Sequence, residues 1–191
     1  MKVAIIGLGY VGRSIAQAAV GAGHSVTGFD TKSDVIPELK ISGDFKGTTD
    51  ASSISDAEVI VIAVPTPLGS DRQPDLRFID SACKTIAENV KKPVLVINES
   101  TSFPGTLRNY IKPAIESYSL NKVQHLYAIS PERVDPGRTD FNQKNTPRLY
   151  SGLTPEASTL TQEFYSKFCD NLVEVSSPEV AEAAKLFENT F

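Results

Sequence analysis

Residues 1–30 read MKVAIIGLGYVGRSIAQAAVGAGHSVTGFD, and in this segment a short apolar run leads into a glycine-rich turn. The run is Lys2–Ile6, the turn has glycine at positions 7, 9 and 12, and a helical pattern follows. A turn of this kind between a strand and a helix brings backbone N–H groups close to a diphosphate, whose charge is stabilised at the helix N-terminus. The segment therefore predicts a site for a dinucleotide.

Each glycine of the turn has a separate role in such a site. Gly7 makes the tight turn, Gly9 leaves room for the phosphates, and Gly12 allows the helix to pack closely on the strand. Tyr10 and Val11 lie between the last two glycines, and we assign them to the same cofactor site.

An acidic residue stands at the distance that a dinucleotide site requires. Asp30 ends a second apolar run, Ser25–Phe29, and lies 18 residues beyond Gly12. There its carboxylate can accept hydrogen bonds from a ribose diol and would repel a 2′-phosphate. Because strand, helix and acid accompany the glycines, the pattern is specific, and it favours NAD over NADP as the cofactor.

Composition excludes several classes of protein. Of the 191 residues, 40% are hydrophobic and 22% are charged, which is typical of a globular domain. A net charge of -4 argues against a nucleic-acid partner. No apolar run approaches the roughly 20 residues that cross a bilayer, so we expect no membrane partner. The two cysteines, Cys83 and Cys169, give neither a disulfide framework nor the spacing of a metal site. We expect a cytoplasmic protein without a metal ion.

The rest of the chain alternates apolar runs with helical patterns, which predicts an α/β protein: a Rossmann-type, doubly wound parallel sheet with helices on both faces. The predicted strands are Lys2–Ile6, Ser25–Phe29, Glu58–Ala63, Val94–Ile97, Leu126–Ile129, Arg148–Tyr150 and Leu172–Val175. One predicted helix has an apolar stripe made of Phe78, Ile79, Ala82, Cys83, Ile86 and Val90.

We predict two parts along the chain. Residues 1–176 form the NAD-binding Rossmann domain, and residues 177–191 begin a central helix with Pro178 in its first turn. No glycine or proline ends that helix before Phe191. We therefore expect a chain cut through a longer protein, with the substrate-binding C-terminal domain absent.

Polar and unusual residues cluster after the predicted strands. They are Pro65-Thr66-Pro67 after the third strand, residues 99–106 after the fourth and Ser130–Arg133 after the fifth. Together with the glycine turn and Asp30, these loops share the carboxyl edge of one sheet, where ligands bind in open α/β folds. Four basic residues in and after the long loop either meet a diphosphate of the substrate or form a solvated surface: Arg133, Arg138, Lys144 and Arg148.

Taken together, these motifs resemble the UDP-glucose/GDP-mannose dehydrogenase family, N-terminal NAD-binding domain, over nearly the whole chain. The residues that carry the resemblance are Gly7 to Gly12, Val64-Pro65-Thr66-Pro67, Glu99-Ser100-Thr101 with Pro104-Gly105-Thr106, Ser130-Pro131-Glu132-Arg133 and Lys185 to Asn189. Within the family, Ser130 to Gly137 followed by Glu188-Asn189-Thr190-Phe191 resembles the branch of UDP-N-acetylglucosamine and UDP-N-acetylmannosamine 6-dehydrogenases.

The resemblance implies an NAD-dependent oxidoreductase of nucleotide-sugar and polysaccharide biosynthesis. Family members oxidise the C6 alcohol of a UDP-sugar to a carboxylate, and they reduce two NAD in two hydride transfers. The aldehyde stage is held on a cysteine, and the resulting thioester is hydrolysed. A homodimer or a higher homo-oligomer is implied for the full-length protein.

The resemblance also implies roles for single residues. Lys185 and Asn189 match the lysine and asparagine that stabilise the oxyanion at the sugar C6, and their spacing places both on one helix face. Glu132 matches the glutamate that acts through water as general acid/base, and Thr101 matches the threonine that positions this water. Arg133 is assigned with them to the substrate.

Three further residues are assigned to the cofactor site through the resemblance. Pro65 and Thr66 match the loop that lines the adenosine end, and Ser100 is assigned together with Thr101. The nucleophilic cysteine of the family belongs to a motif beyond Phe191, and neither Cys83 nor Cys169 is expected to replace it.

Two alternatives remain open on sequence alone. A β-hydroxyacid dehydrogenase also pairs a Rossmann domain with a Lys-x-x-x-Asn helix, although such enzymes carry Met in place of Val11 and a Ser-Gly-Gly motif in place of Glu132-Arg133. A non-catalytic NAD-sensing module would bind the nucleotide, and in it Glu132, Lys185 and Asn189 would have no catalytic role.

Overall fold

The computed structural model describes residues 1–37, 39–70, 72–133 and 143–188. Within these ranges the chain forms one sheet of eight strands between two layers of helices. The strands are β1 (Lys2–Ile6), β2 (Ser25–Phe29), β3 (Phe45–Thr48), β4 (Val59–Ile62), β5 (Leu95–Asn98), β6 (Leu126–Ile129), β7 (Arg148–Gly152) and β8 (Leu172–Glu174). The helices are α1 (Tyr10–Gly21), α2 (Arg77–Asn89), α3 (Lys112–Tyr118), α4 (Pro155–Tyr165) and α5 (Pro178–Glu188).

The order of the strands produces a crevice at the middle of the sheet. The order is β3-β2-β1-β4-β5-β6-β7-β8, so the chain first winds outward from β1 through β2 and β3 and then returns to place β4 on the other side of β1. The pairings of Val3 with Val26 and with Val59 are both parallel. Connections therefore leave β1 and β4 in opposite directions, and ligands bind in doubly wound folds at the carboxyl ends of such strands.

The predicted Rossmann fold is confirmed, but the sheet is not wholly parallel. Strands β6 and β7 pair antiparallel, with Ile129 opposite Ser151, and β8 then follows β7 in parallel. The reason lies at Arg148, the first residue of β7, whose guanidinium donates to the backbone oxygen of Ser130 just beyond β6. Because β7 begins at the carboxyl end of β6, it must run back along that strand.

All seven predicted strands form, whereas β3 was missed. Its sequence, Phe45-Lys46-Gly47-Thr48, has one large apolar side chain and a glycine, so it lacks the apolar run that marks the other strands. It pairs in parallel with β2 at the edge of the sheet.

Both faces of the central strands are buried, which explains their continuous apolar runs. Along β1, Ala4 and Ile6 face the core beneath α2, α3 and α5, while Val3 and Ile5 face the core beneath α1 and α4. Helix α5 belongs to the first core through its buried Ala181. The division of the chain at residue 176 stays a prediction.

Candidate functional site

The glycine turn after β1 has the geometry of a phosphate-binding loop. Gly7 has φ +94°, and a Cβ there would lie 2.4 Å from the backbone oxygen of Ala63. A Cβ on Gly12 would lie 1.8 Å from the oxygen of Gly7, so α1 can pack here only through glycine. By contrast, a Cβ on Gly9 would meet nothing within 4 Å. The open space beside Gly9 is where the diphosphate of a dinucleotide fits.

Helix α1 presents its first N–H groups to this space. It begins at Tyr10 with Gly9 as its N-cap, and no side chain caps it. The first backbone N–H groups of a helix have no partner within the helix, and the helix dipole favours a negative charge there. The turn thus offers both the room and the donors that a diphosphate requires.

Asp30 follows β2 and lies beside the turn. Its Oδ2 accepts from the N–H of Leu8 at 2.8 Å, and its Oδ1 accepts from the N–H of Lys32 at 2.9 Å. These bonds fix the carboxylate at the wall of the crevice while the side chain stays half-buried. A ribose diol that enters the crevice therefore meets an oriented acceptor.

A cavity of about 580 Å³ runs along the carboxyl edge of the sheet from Asp30 to Lys185. Eleven residues assigned to the cofactor, the substrate or catalysis line it: Gly7, Gly9, Tyr10, Val11, Asp30, Pro65, Thr66, Ser100, Thr101, Glu132 and Lys185. The structure thus brings together residues from five separate loops and from α5. Their individual roles stay predictions.

Among the described residues, two assigned residues do not line this cavity. Gly12 packs beneath the turn, against Gly7. Arg133 is half-buried beside the cavity wall, where its guanidinium forms an ion pair with Glu188 and donates to the backbone oxygen of Pro147 at 3.2 Å. Asn189 lies outside the described residues.

One wall of the cavity comes from α2, to which the sequence analysis assigned an apolar stripe and no role in the site. Phe78, the first residue of that stripe, is 45% exposed and lines the cavity. Its position on the first turn of α2 brings it to the carboxyl edge of the sheet. Ser81 and Thr85 line the same wall. Their spacing of three and seven residues from Phe78 is a helical stripe that the sequence analysis did not identify.

Ser100 links the loop that follows β5 to the loop that follows β4. Its Oγ accepts from the N–H of Val64 at 3.0 Å and donates to the backbone oxygen of Val64 at 2.8 Å. The loop that begins at Pro65 is therefore held against the end of β5. Ser100 shapes the cavity through the backbone of its neighbour as well as lining it.

An ion-pair network lies behind the cavity wall at Glu99 and Glu132. The Arg148 guanidinium lies 3.1 Å from Glu99 Oε1 through Nη1 and 3.0 Å from Glu132 Oε2 through Nη2. It also stacks on the ring of Tyr165, with 4.4 Å from Cζ to the ring centroid. Arg148 is 3% exposed, so it is neither a solvated residue nor a ligand of the substrate. It holds the two carboxylates instead.

Burial and charge shift the pKa values in this network. Burial raises the pKa of Glu99 to about 7, although the Arg148 cation opposes the shift. Burial alone would lower the pKa of Arg148, but the carboxylates of Glu99 and Glu132 raise it well above its usual range. Arg148 therefore stays charged, while burial keeps the pKa of Glu99 well above that of an exposed carboxyl group.

The network continues to α1 through Gln143. The Gln143 amide donates to Glu132 and, at 3.1 Å, to Ser14 Oγ, while its oxygen accepts from Arg148. Glu132 also accepts from the N–H of Arg133 at 2.7 Å. The Glu132 carboxylate, which is assigned to acid–base chemistry, is thus held by Arg148 on β7, by Gln143 and by the backbone of Arg133. Gln143 was not predicted as a member of the site. Glu99 was predicted only as part of a loop at this sheet edge, and Arg148 only as one of four basic residues that either meet a diphosphate or form a solvated surface.

Helix α5, which carries Lys185, is docked by a third buried carboxylate. Glu182 is 1% exposed and accepts from the N–H of Gly105 at 2.5 Å and from the N–H of Leu107 at 2.9 Å. These donors belong to the segment that follows Thr101, so one side chain joins the segment to α5. Lys185 reaches the cavity from one helical turn farther along.

Neither cysteine can serve as a nucleophile at this site. Both are buried, and burial raises the pKa of Cys83 to about 12 and that of Cys169 to about 11. A thiol with such a pKa is not ionised near neutral pH.

Among the residues described, no cluster of three or more metal-binding side chains occurs. No helix in the same part of the chain has the length and apolar character needed to cross a membrane.

Comparison with protein families gives one match over most of the chain. Residues 34–169 match the NAD-binding domain of the UDP-glucose/GDP-mannose dehydrogenase family. The UDP-N-acetyl-D-glucosamine 6-dehydrogenase of Pseudomonas aeruginosa is 34% identical over 208 aligned positions, which cover 100% of this chain and 49% of that protein. The chain therefore spans about half the length of the curated relatives it matches.

Solved structures agree with this match. The chain is similar to the UDP-D-ManNAc dehydrogenase of Pyrococcus horikoshii, with a TM-score of 0.91 and 30% identity over 100% of this chain and 50% of that one. It is also similar to a GDP-mannose dehydrogenase from Pseudomonas aeruginosa, with a TM-score of 0.86 and 26% identity over 100% of this chain and 49% of that one. A 3-hydroxyisobutyrate dehydrogenase from Mycobacterium tuberculosis, at 18% identity, shares the fold alone.

Proposed function

The chain belongs to the UDP-glucose/GDP-mannose dehydrogenase family, and from this premise we propose that it supplies the cofactor half of a UDP-N-acetylhexosamine 6-dehydrogenase. The enzyme would oxidise the C6 alcohol of its substrate to a carboxylate in two hydride transfers. Relatives named for UDP-N-acetyl-D-glucosamine and UDP-N-acetyl-D-mannosamine support this choice of sugar.

The single observation that carries the proposal is the continuous cavity. Gly9 and Asp30 line one part of it, and Thr101, Glu132 and Lys185 line the other. A bound NAD supplies the acceptor for the hydride that leaves the sugar C6. The residues that hold such a cofactor therefore share one wall with the residues suited to the chemistry.

The chain would hold the cofactor mainly through its backbone. The N–H groups at Tyr10 and Val11 bind the diphosphate beside Gly9, and Asp30 accepts from the adenosine ribose. Pro65 and Thr66 line the adenosine end, with their loop held by Ser100 and continued by Thr101.

Three side chains would act on the substrate. The Lys185 ammonium stabilises the negative charge that develops on the C6 oxygen, together with the Asn189 amide. Glu132 takes and returns protons through a water molecule that Thr101 positions, and later activates water for hydrolysis of the thioester. The charge of Arg133 favours binding of the substrate's diphosphate.

The remaining parts of the proposal concern the whole protein. A cysteine from the substrate half forms the thiohemiacetal and the thioester, because the two cysteines of this chain are buried thiols. We place the enzyme in the cytoplasm as a homodimer or a higher homo-oligomer. The exposed apolar side chains of α5, Val180 and Phe187, support a further partner for that helix.

The test joins these 191 residues to the substrate half of the Pseudomonas aeruginosa relative. We expect the chimera to form NADH from UDP-N-acetylglucosamine and NAD, and we expect the 191-residue chain alone to form none.

Lys185→Met should lower kcat by about 10²-fold or more and leave NAD affinity unchanged, because an oxyanion donor acts in the transition state. The exposed Lys167→Met is the matched control. A chimera that binds NAD and UDP-sugar but gives equal turnover with and without Lys185 would refute the assignment.

A further inference from the structure

The side chain of Glu99 is completely buried behind the cavity wall. Glu99 follows β5 directly, is 2% exposed and lines the cavity. Its Oε1 accepts from Tyr165 Oη and pairs with Arg148 at 3.1 Å. Its Oε2 is buried and has no hydrogen-bond partner among the residues described. A buried carboxylate oxygen without a partner is costly, so a ligand that supplies positive charge nearby is favoured.

Several ionisable side chains surround Glu99. Arg148 pairs with both Glu99 and Glu132. Among the residues described, Tyr165 on α4 and Cys169 beyond α4 also interact with Glu99, and burial raises the pKa of both. These two groups are therefore neutral. A neutral side chain in place of Glu99 would remove one negative charge from this buried network.

Two lysines line the cavity, Lys32 near Asp30 and Lys185 from a different layer. Lys185 belongs to α5, which packs on the opposite face of the sheet from Arg148 and Tyr165. Lys185 is half-exposed, so water screens its charge, whereas the Glu99 side chain is completely buried. A charge on Glu99 consequently acts over the inner cavity at a low effective dielectric constant.

The direction of the cofactor in the cavity follows from Asp30. If Asp30 holds the adenosine ribose, the nicotinamide lies toward the other end of the cavity, which Glu99, Thr101 and Glu132 line. The two redox forms of the cofactor have the same adenosine and diphosphate groups. They differ in the nicotinamide ring, which is positively charged when oxidised and neutral when reduced.

Resting on the proposed function, we propose that Glu99 is a specificity residue for the redox state of the cofactor. Its carboxylate makes the cavity bind NAD⁺ more tightly, relative to NADH, than a neutral side chain of the same shape would. Because the reaction consumes NAD⁺ and releases NADH, this preference assists both loading and product release.

The same geometry couples NAD⁺ binding to the release of a proton from Glu99. Since burial raises the pKa of Glu99 to about 7, the free protein carries this carboxyl partly protonated at neutral pH. A positively charged ring favours the ionised form, so NAD⁺ binding releases a proton and strengthens as pH rises through 7. NADH has a neutral ring, and its affinity should stay flat.

The histidines do not produce this pH dependence. Neither His24 nor His125 lines the cavity, and burial holds the pKa of both below 6.5. A change of affinity between pH 6.5 and pH 8 therefore reports on another group.

The experiment is calorimetric titration of the 191-residue chain with NAD⁺ and, separately, with NADH. We expect the NAD⁺ affinity to rise about threefold from pH 6.5 to pH 8, as the ionised fraction of a group with a pKa near 7 increases. Glu99→Gln keeps an amide oxygen that accepts from Arg148 and Tyr165. At pH 8 it should weaken NAD⁺ about fivefold, change NADH less than twofold, and remove the pH dependence. Glu163→Gln, an exposed carboxyl on α4, should change nothing.

Three results would overturn the inference. The first is an NAD⁺ affinity in the unsubstituted chain that is flat between pH 6.5 and pH 8, a measurement that does not depend on folding of the variant. The second is equal weakening of NAD⁺ and NADH by Glu99→Gln. The third is failure of the unsubstituted chain to bind either form, which refutes the proposed function and this inference together.

Discussion

Asp30 is the residue on which we propose that the choice between NAD and NADP depends. Its carboxylate is fixed by the N–H groups of Leu8 and Lys32 and lines the cavity. A 2′-phosphate on the adenosine ribose would bring two negative charges together, whereas a free diol can donate hydrogen bonds to the same oxygens.

We expect NAD to stabilise the chain against heat more than NADP does, with about a tenfold difference in affinity. Asp30→Asn should reduce this difference, because the amide still accepts one hydrogen bond but carries no charge. Melting temperatures at matched cofactor concentrations give the measurement. Asp34→Asn, an exposed neighbour, is the control. Equal shifts with NAD and NADP in the unsubstituted chain would contradict the role of Asp30.

At the scale of single residues, the sequence predicted the glycine turn after β1. It did not predict the ion-pair network of Glu99, Arg148 and Glu132. Gly7, Gly9 and Gly12 reveal their roles through local spacing, because a turn between consecutive elements is a local structure. Glu99 and Arg148 are 49 positions apart, and nothing near either residue marks it as buried. Their pairing depends on β6 and β7 lying side by side, which only the folded sheet determines.

Helix α5 depends for its docking on one buried carboxylate. Glu182 is the acceptor for the N–H groups of Gly105 and Leu107, both in buried residues. Glu179, on the same helix, pairs instead with Arg108 at 2.7 Å, and both of those side chains are partly exposed. The two glutamates therefore make a matched pair for measurement.

We expect Glu182→Ala to lower the free energy of unfolding by about 2–4 kcal/mol, because two buried N–H groups lose their acceptor. Glu179→Ala should cost less than about 1 kcal/mol, since solvent screens its ion pair. Urea denaturation of each variant gives both values. Similar losses for the two substitutions would show that Glu182 does not dock the helix in the manner described.

The elements themselves were largely predictable, and the exceptions have physical causes. The central strands β1, β4, β5 and β6 carry apolar runs because both of their faces are covered. The edge strand β3 lacks such a run. The direction of β7 could not be read from its composition, because an apolar strand has the same pattern in either direction. The place of Phe78 on the cavity wall was not predicted, because its first-turn position exposes it beyond the buried residues of the same stripe of α2.

At the scale of the whole molecule, one sheet edge collects residues from distant parts of the sequence. The reversal of strand order between β1 and β4 opens a crevice there, and loops after five strands and helix α5 line it. The sequence predicted this gathering because the carboxyl ends of parallel strands share an edge. It did not predict the wall formed by α2 or the link from Glu132 to α1 through Gln143.

The central claim is that this crevice holds a dinucleotide in one direction. A crystal structure of the chain grown with NADH tests it most directly. We predict the diphosphate beside Gly9 at the start of α1, the adenosine ribose at Asp30, and the nicotinamide toward Glu99 and Thr101. A cofactor bound elsewhere, bound in the reverse direction, or missing from the crevice at saturating NADH would contradict the account.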